Sequence, residues 1–165
     1  MQIRLERPTD TDAIRLVTEA AFKIAPHNDQ SEASIIDVLR REGALTVSLV
    51  ALETDEIVGH VAFSPVAINR TMNGWYGLAP VSVRPEMQKK GIGQALIREG
   101  LLRLRSIKAA GCVVLGEPSY YARFGFASDP DLYYGDAPRE YFQRLIFNGA
   151  PPKGEVKYHA GFSAL

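Results

Sequence analysis

The residues of this chain best suited to binding chemistry are two glycines and two lysines at the start of a predicted helix. They form the run Gln88-Lys89-Lys90-Gly91-Ile92-Gly93-Gln94. The first backbone N–H groups of a helix have no intrahelical partner, and the helix dipole adds positive charge there. Glycines remove the Cβ atoms that would keep a ligand away, and lysines attract anions. The run predicts a phosphate or pyrophosphate site; the alternative is an unoccupied helix start with two solvated lysines.

This run does not match the two commonest phosphate-binding motifs. A P-loop needs its lysine after the glycines, whereas Lys89 and Lys90 precede them. The dinucleotide fingerprint needs a third glycine at the position where this chain has Leu96. With these two motifs excluded, the backbone N–H groups at the helix start remain as the predicted phosphate-binding groups.

Composition limits the class of ligand and the location of the protein. The chain has 165 residues, with 19 Lys+Arg against 19 Asp+Glu and a formal net charge of zero. This length predicts one domain over residues 1–165. Nucleic-acid-binding domains are usually basic, so the zero net charge predicts a small anionic ligand and no nucleic-acid partner. The single cysteine, Cys112, fits a reducing compartment. No export signal or long apolar run occurs, which predicts a soluble, cytoplasmic protein with no membrane partner.

A proline in the strand before the glycine run predicts an opening in the sheet. Pro80 lies within the predicted strand 75–83. Proline has no N–H and is rare in central strands except at bulges. A bulge would splay this strand from a parallel neighbour predicted at residues 112–115. The N–H and C=O groups left unpaired could then bind an amide-containing ligand as if it were a strand.

The other elements must position these two features. Hydrophobic periodicity and turn residues predict roughly the order β-α-α-β-β-β-α-β-α-β, with residues 139–147 as a further candidate helix. Strands are predicted at 2–6, 46–52, 57–68, 75–83, 112–115 and 155–162, and helices from Pro8, from near Ser31, and at 92–109, 119–124 and 139–147. The helix after residue 83 joins parallel neighbours by a right-handed crossover. The fold class is therefore α+β, or α/β by some conventions, with a mixed sheet.

An aromatic segment follows the strand 112–115. It reads Tyr120-Tyr121-Ala122-Arg123-Phe124-Gly125-Phe126. The carboxyl ends of parallel neighbouring strands lie at the same edge of a sheet, so a tyrosine of this segment can lie near the glycine run. The alternative is that all four aromatic residues belong to the core.

Together, the glycine run and the aromatic segment resemble the GNAT superfamily of acyl-CoA-dependent N-acyltransferases. The glycine run is similar to its motif A, Gln/Arg-x-x-Gly-x-Gly/Ala, and the aromatic segment to Tyr-x-x-x-Gly-Phe after the fifth strand. The resemblance covers about residues 2–128 and includes features of a bacterial subgroup. It implies a mixed sheet of six to seven strands, splayed at its centre, with helices on both faces. The chain departs from the family at Glu117-Pro118-Ser119, where many members carry a cofactor-binding asparagine.

The resemblance implies that an acetyl group moves from acetyl-CoA to an amine of a small molecule or protein, by direct attack and without a metal. The glycine run would hold the CoA pyrophosphate, the bulged strand would pair with the pantetheine arm, and a strand N–H would polarise the thioester carbonyl. The cofactor-binding residues so implied are Val81, Ser82, Val83, Gln88, Lys89, Lys90, Gly91, Ile92, Gly93, Gln94, Ser119 and Arg123.

Three residues are candidates for catalysis under this resemblance. Tyr121 is expected to protonate the departing thiolate, and His60 or Glu117 to accept a proton from the amine. His60 could instead be a core or surface histidine and Glu117 a solvated carboxylate, with a water chain as the base. If none operates, the chain would be a non-catalytic acyl-CoA-binding sensor or interaction module. We expect loops 24–31 and 69–75 to form the acceptor site; homodimers are common in the family, although no motif here indicates one.

Overall fold

The computed structural model describes residues 1–23 and 31–163. The strands are β1 (Gln2–Leu5), β2 (Val47–Glu53), β3 (Glu56–Pro65), β4 (Ala67–Ile68), β5 (Trp75–Val83), β6 (Gly111–Leu115), β7 (Ala127–Ser128), β8 (Leu132–Tyr133), β9 (Phe142–Ile146) and β10 (Gly154–Lys157). The helices are α1 (Thr11–Lys23), α2 (Glu32–Arg41), α3 (Ile92–Ser106) and α4 (Pro118–Tyr121).

Seven strands form one mixed sheet in the order β1-β2-β3-β5-β6-β9-β7, and β4, β10 and β8 form a smaller sheet beside it. Within the large sheet, β5 and β6 run parallel and the other neighbouring pairs are antiparallel. This confirms the predicted fold class, the mixed sheet and the number of strands. Within residues 1–23 and 31–163, no helix combines the length and apolar character needed to cross a bilayer.

Helices cover both faces of the large sheet, because successive side chains of a strand point to opposite faces. On one face, Leu96 of α3 packs in a buried cluster with Val61 and Phe63 of β3. On the other face, Ile14 of α1 packs with Val50. Val50 pairs with His60, the neighbour of Val61, and therefore points to the opposite side of the sheet. The helices therefore hold β3 and β5 rigidly from both sides.

The sheet opens between β5 and β6, as the sequence predicts. The two strands pair only over Trp75–Gly77 and 111–113, so the rest of β5 leaves its neighbour. The opening begins at a bulge, where Ala79 and Pro80 together oppose the single residue Ala62 of β3. A bulge adds an unpaired residue and bends its strand. The missing N–H of Pro80 therefore costs the sheet no ladder bond.

The prediction for residues 139–147 was wrong. These residues form a short 3₁₀ turn, Arg139–Tyr141, followed by the strand β9, which pairs with β6 along all five of its residues. Phe142 and Gln143 are both buried on opposite sides of the sheet, and the Gln143 amide donates hydrogen bonds to the carbonyls of Gly116 and Tyr141. The apolar spacing fits a helix, but the need of β6 for a second neighbour decides the structure.

The ends of the third and last predicted strands also differ from the structure. The predicted strand 57–68 divides at Pro65, and its end, β4, joins the smaller sheet. The predicted strand 155–162 is shorter, because β10 ends at Lys157 and a 3₁₀ turn, Ala160–Phe162, follows it. This turn brings Phe162 close to α2, where it packs against buried residues of that helix.

Candidate active site

The glycine run forms a cavity at the N-terminus of α3. Gly91 is the N-cap, with a left-handed φ of 86°, and no side chain caps the helix. The first amides of α3 therefore face a cavity of about 320 Å³, which we call the cradle cavity. The cradle cavity is lined by Val83, Met87, Gln88, Lys89, Gly91, Ile92, Gly93, Gln94 and Tyr120. Lys90 is exposed and is not among these residues.

The absence of a side chain at Gly93 keeps the cradle cavity open. A Cβ atom at Gly93 would lie 3.6 Å from the Tyr120 hydroxyl oxygen and 3.8 Å from Cγ2 of Val83. Gly91 differs, because a Cβ there would meet nothing within 4 Å, and its left-handed φ is what favours glycine. Gly93 thus provides space, and Gly91 provides the turn.

The hydrogen-bond pattern of β5 determines which backbone groups face the opening. Arg84 donates its N–H to the Val58 carbonyl, so residue 84 lies at a hydrogen-bonded position of the antiparallel ladder. Such positions alternate, so Ser82 also faces β3, whereas Val81 and Val83 turn their N–H and C=O groups toward the opening. The Val83 carbonyl accepts a 2.9 Å hydrogen bond from the Gln88 side chain, which ties the glycine run to the strand.

A second cavity, of about 330 Å³, lies at the bulge, and we call it the bulge cavity. The described residues around it are Phe22, Glu32, Ile35, Leu78, Ala79, Pro80, Val81, Leu115, Tyr121 and Phe162. It therefore joins the opened strand to the helices α1 and α2. Tyr121 of α4, the expected acid, lines this cavity, whereas the tyrosine beside the glycine run is Tyr120.

The two tyrosines of α4 lie side by side, one at each cavity. Their ring centroids are 5.0 Å apart in an edge-to-face arrangement. Tyr120 lines the cradle cavity, and Arg123 holds it by stacking its guanidinium 4.5 Å from the ring centroid and donating to the Tyr120 carbonyl. Tyr121 is more deeply buried, and this burial, followed by the proximity of Tyr120 and Cys112, raises the pKa of its hydroxyl to about 12. Tyr121 therefore remains protonated at neutral pH.

The structure brings neither predicted base to these cavities. His60 is fully buried, and its Nε2 lies 2.8 Å from the Ser48 hydroxyl, which in turn donates to Glu6. Glu117 is exposed and caps α4, where it accepts hydrogen bonds from the backbone N–H and hydroxyl of Ser119. Both side chains thus have structural partners, and neither lines the cradle cavity or the bulge cavity.

The burial of His60 predicts a stability that depends on pH. Burial, only partly offset by Glu6, lowers the pKa of His60 from 6.5 to about 4. Between these two values the unfolded chain binds a proton that the folded chain does not, so stability falls as the pH falls from about 6.5 to about 4. We expect His60→Gln, which keeps a polar group near Ser48, to reduce this fall. Thermal unfolding midpoints measured from pH 7 to pH 5 test this expectation.

Glu6 does not obscure this measurement. Burial alone would raise the pKa of Glu6, but hydrogen bonds from Arg40 and Ser48 outweigh it and lower the pKa below 4.5. A lowered carboxyl pKa removes stability only as the pH falls below about 4.5. Parallel midpoint curves for the wild type and His60→Gln above pH 5 would contradict the burial of a neutral imidazole.

Sequence reasoning missed Glu32, Phe22 and Phe162 at the bulge cavity. Glu32 lies in the first turn of α2, directly after the loop 24–31 that was expected to contact the acceptor. Only Ser31 of that loop lies within the described residues, and the loop 69–75 lines neither cavity. An acidic residue at the start of a helix is usually explained by the helix dipole, so it gave no separate signal. Among the described residues, no group of three or more potential ligands is arranged to hold a metal.

The fold and this pair of cavities define a class of protein. A mixed sheet that opens at a bulge, beside a helix whose uncapped N-terminus faces a glycine-lined cavity, is the arrangement of an acyl-CoA-dependent N-acyltransferase. Residues 45–128 match the family described as the acetyltransferase (GNAT) domain. Together with the relatives described next, this match shows that the chain belongs to the GNAT acetyltransferase family.

Relatives resemble this chain over nearly its whole length. The sequence is 36% identical to the N-acetyltransferase YhbS of Escherichia coli K12 over 99% of both chains. The crystal structure of a GNAT family acetyltransferase from Brucella melitensis in complex with acetyl-CoA superposes with a TM-score of 0.88, at 51% identity over 98% of this chain and 97% of that chain. The structure of Escherichia coli YhbS in complex with CoA superposes with a TM-score of 0.89, at 33% identity over 98% and 91%.

Proposed function

We propose that the protein transfers an acetyl group from acetyl-CoA to an amine acceptor. The observation that carries this proposal is that the cradle cavity and the bulge cavity lie beside each other, because Tyr120 lines the first, Tyr121 lines the second, and their ring centroids are 5.0 Å apart. The first cavity suits a pyrophosphate and the second suits a thioester meeting an acceptor. The 51% identical relative from Brucella melitensis, solved with acetyl-CoA, supports the same cosubstrate here. We place the activity in the cytoplasm, where the free thiol of Cys112 would stay reduced.

The cradle cavity would hold the pyrophosphate through backbone groups. The N–H groups of Ile92, Gly93 and Gln94 lie in the first turn of α3, where the helix dipole favours an anion. Lys89 lines the same cavity and adds attraction, while Lys90 acts only at longer range. Arg123 would contribute indirectly, because it holds Tyr120 against the cavity. Ser119 would contribute indirectly, because its hydroxyl donates to Glu117, the residue that caps α4.

The opened strand would orient the pantetheine arm and the thioester. Val81 and Val83 present backbone groups to the opening, so an extended chain of amides can pair with them as a strand would. A backbone N–H fixed at the bulge would also stabilise the negative charge that develops on the thioester oxygen. Ser82 contributes differently, since its buried hydroxyl lies 3.5 Å from that of Thr18 and fastens β5 to α1.

Tyr121 would stabilise the departing thiolate. A hydroxyl with a pKa of about 12 remains protonated, so it can donate a hydrogen bond as charge develops on sulfur. Complete proton transfer from such a phenol to a thiolate, whose reference pKa is about 8.5, is unfavourable in isolation. The hydrogen bond in the transition state is therefore the main contribution of Tyr121. The phenol proton moves to sulfur as the attacking nitrogen gives up a proton of its own.

Measuring CoA release from acetyl-CoA with a panel of primary amines tests the proposed function. Release that depends on the amine, together with formation of the N-acetyl product, would support acetyl transfer. Acetyl-CoA binding without release on any amine would instead favour the sensor. An acceptor-dependent rate thus separates the two interpretations of the same cradle cavity.

A further inference from the structure

We infer that Glu32 binds the acceptor amine and takes its proton, and that the acceptor is a primary amine carrying one compact apolar group. This inference rests on the acetyl transfer proposed above and adds to it a base and a substrate class. Neither role belongs to a residue of the glycine run or of the aromatic segment.

The position of Glu32 is the first support. Among the described residues around the bulge cavity, Glu32 alone carries a charge. It extends from the first turn of α2, whereas Tyr121 borders the same cavity from α4, beside the opened strand. A thioester at the bulge would thus lie between a proton acceptor and a hydrogen-bond donor. Such a pair serves an amine that must lose a proton and a thiolate that must gain one.

The shielding of the carboxylate is the second support. Glu32 is half-buried and borders the bulge cavity; its Oε1 atom is shielded from water, so a ligand would meet the carboxylate through its other oxygen. Charges interact more strongly where water is excluded, so an ammonium entering the cavity would be held firmly by this carboxylate. The start of α2 contributes as well, since a helix N-terminus stabilises a nearby carboxylate.

The walls of the bulge cavity indicate the acceptor class. Phe22, Ile35, Leu115 and Phe162 surround the space that faces the bulge, and no second acidic side chain accompanies Glu32 among the described lining residues. A polyamine or a basic peptide would bury an additional charge against these side chains without a partner, which is costly. An amine with one positive charge and an aryl or branched alkyl substituent matches both the carboxylate and the walls.

The protons balance with Glu32 and Tyr121 in these roles. The acceptor enters as an ammonium with three N–H protons. Glu32 takes the first of these protons, which frees the nitrogen lone pair for attack. The nitrogen then forms a bond to the thioester carbon, and the C–S bond breaks on collapse. The departing sulfur receives a proton from Tyr121, which recovers it from the nitrogen. One proton stays on the amide, and Glu32 releases its proton to solvent.

The test compares Glu32→Gln with wild type on three probes. Phenylethylamine is apolar and strongly basic, trifluoroethylamine is small and weakly basic, and spermidine is polycationic. At pH 7 we expect Glu32→Gln to lower kcat/KM for phenylethylamine about 10²–10³-fold, within the range for a positioned base. The loss should shrink as the pH approaches the pKa of the amine, and it should be small for trifluoroethylamine, which is already neutral.

Glu19→Gln provides a matched control. Glu19 lies on α1 beside Arg15, 54% exposed, and borders a neighbouring surface pocket that Glu32 also borders, but not the bulge cavity. The Glu19→Gln variant removes the same charge from the same region and should leave the rates with all three amines unchanged. Calorimetric titration with acetyl-CoA should give the same affinity for the wild type and Glu32→Gln, which shows that the cosubstrate site is intact.

Three results would overturn the inference while leaving acetyl transfer in place. They are full activity of Glu32→Gln, a loss that is equal for all amines at every pH, and a wild-type preference for spermidine over phenylethylamine. Wild-type protein that binds acetyl-CoA but acetylates no amine would overturn the proposed function itself, and the inference with it.

Discussion

Replacing Tyr121 by phenylalanine should lower the turnover number about 10²–10⁴-fold, the range for a positioned acid. The substitution keeps the ring, which packs edge-to-face against Tyr120 and Phe126, and removes only the hydroxyl. The affinity for acetyl-CoA should change little, because the hydroxyl acts on charge that develops in the transition state. Steady-state kinetics with saturating acetyl-CoA measure the effect, and calorimetry measures the affinity.

Two other tyrosines make this result specific. Tyr141 is 39% exposed and lines neither cavity, so Tyr141→Phe should retain wild-type kinetics. Tyr120 borders the cradle cavity, so Tyr120→Phe should change acetyl-CoA affinity more than turnover. If Tyr120→Phe abolished turnover and Tyr121→Phe did not, the roles of the two residues would be exchanged. Full activity in both variants would mean that solvent protonates the thiolate.

Replacing Gly93 by valine should weaken acetyl-CoA binding about 10–100-fold, which corresponds to losing one hydrogen bond to a charged group at about 1.5–3 kcal/mol. The added side chain would project toward the Tyr120 hydroxyl and fill the space that a phosphate needs next to the amides of α3. Gly91→Val should also weaken binding, but through strain at its left-handed φ. Calorimetric titration with acetyl-CoA measures both effects.

The controls for Gly93→Val lie close to it in the sequence. Ala95→Val adds the same kind of side chain to α3 outside the lining of the cradle cavity and should leave the affinity unchanged. Lys89→Ala and Lys90→Ala remove exposed charges and should cost about 0–1 kcal/mol each, with the larger effect at Lys89. Wild-type affinity in both glycine variants, with the fold intact, would exclude the α3 N-terminus as the phosphate site.

The cradle and the opening could be predicted because each depends on local chemistry. Glycines before an amphipathic run indicate a helix start that admits a ligand, and a proline within an apolar strand indicates a bulge. Gly91 and Pro80 carry these signals without reference to distant residues. The structure places both where the sequence predicts, at the start of α3 and opposite Ala62.

The remaining features depend on contacts between distant parts of the chain. Residues 142–146 have the spacing of a helix and become a strand because β6 needs a neighbour. The sequence suggests His60 as a base, yet its ring nitrogen is hydrogen-bonded to Ser48 on the adjacent strand. Glu32 reaches the bulge cavity only because α2 and α4, which are distant in sequence, both border the bulge of β5. No local pattern records these pairings, so sequence periodicity alone could not supply them.

The central claim is that CoA lies with its pyrophosphate at the start of α3 and its pantetheine arm along β5. Backbone amide NMR spectra recorded during titrations with CoA and with pantetheine alone test this claim residue by residue. We predict that CoA shifts the amides of Ile92, Gly93 and Gln94 together with those of Val81 and Val83, whereas pantetheine shifts only the latter two. Unchanged amides at Ile92, Gly93 and Gln94 on saturation with CoA would contradict it.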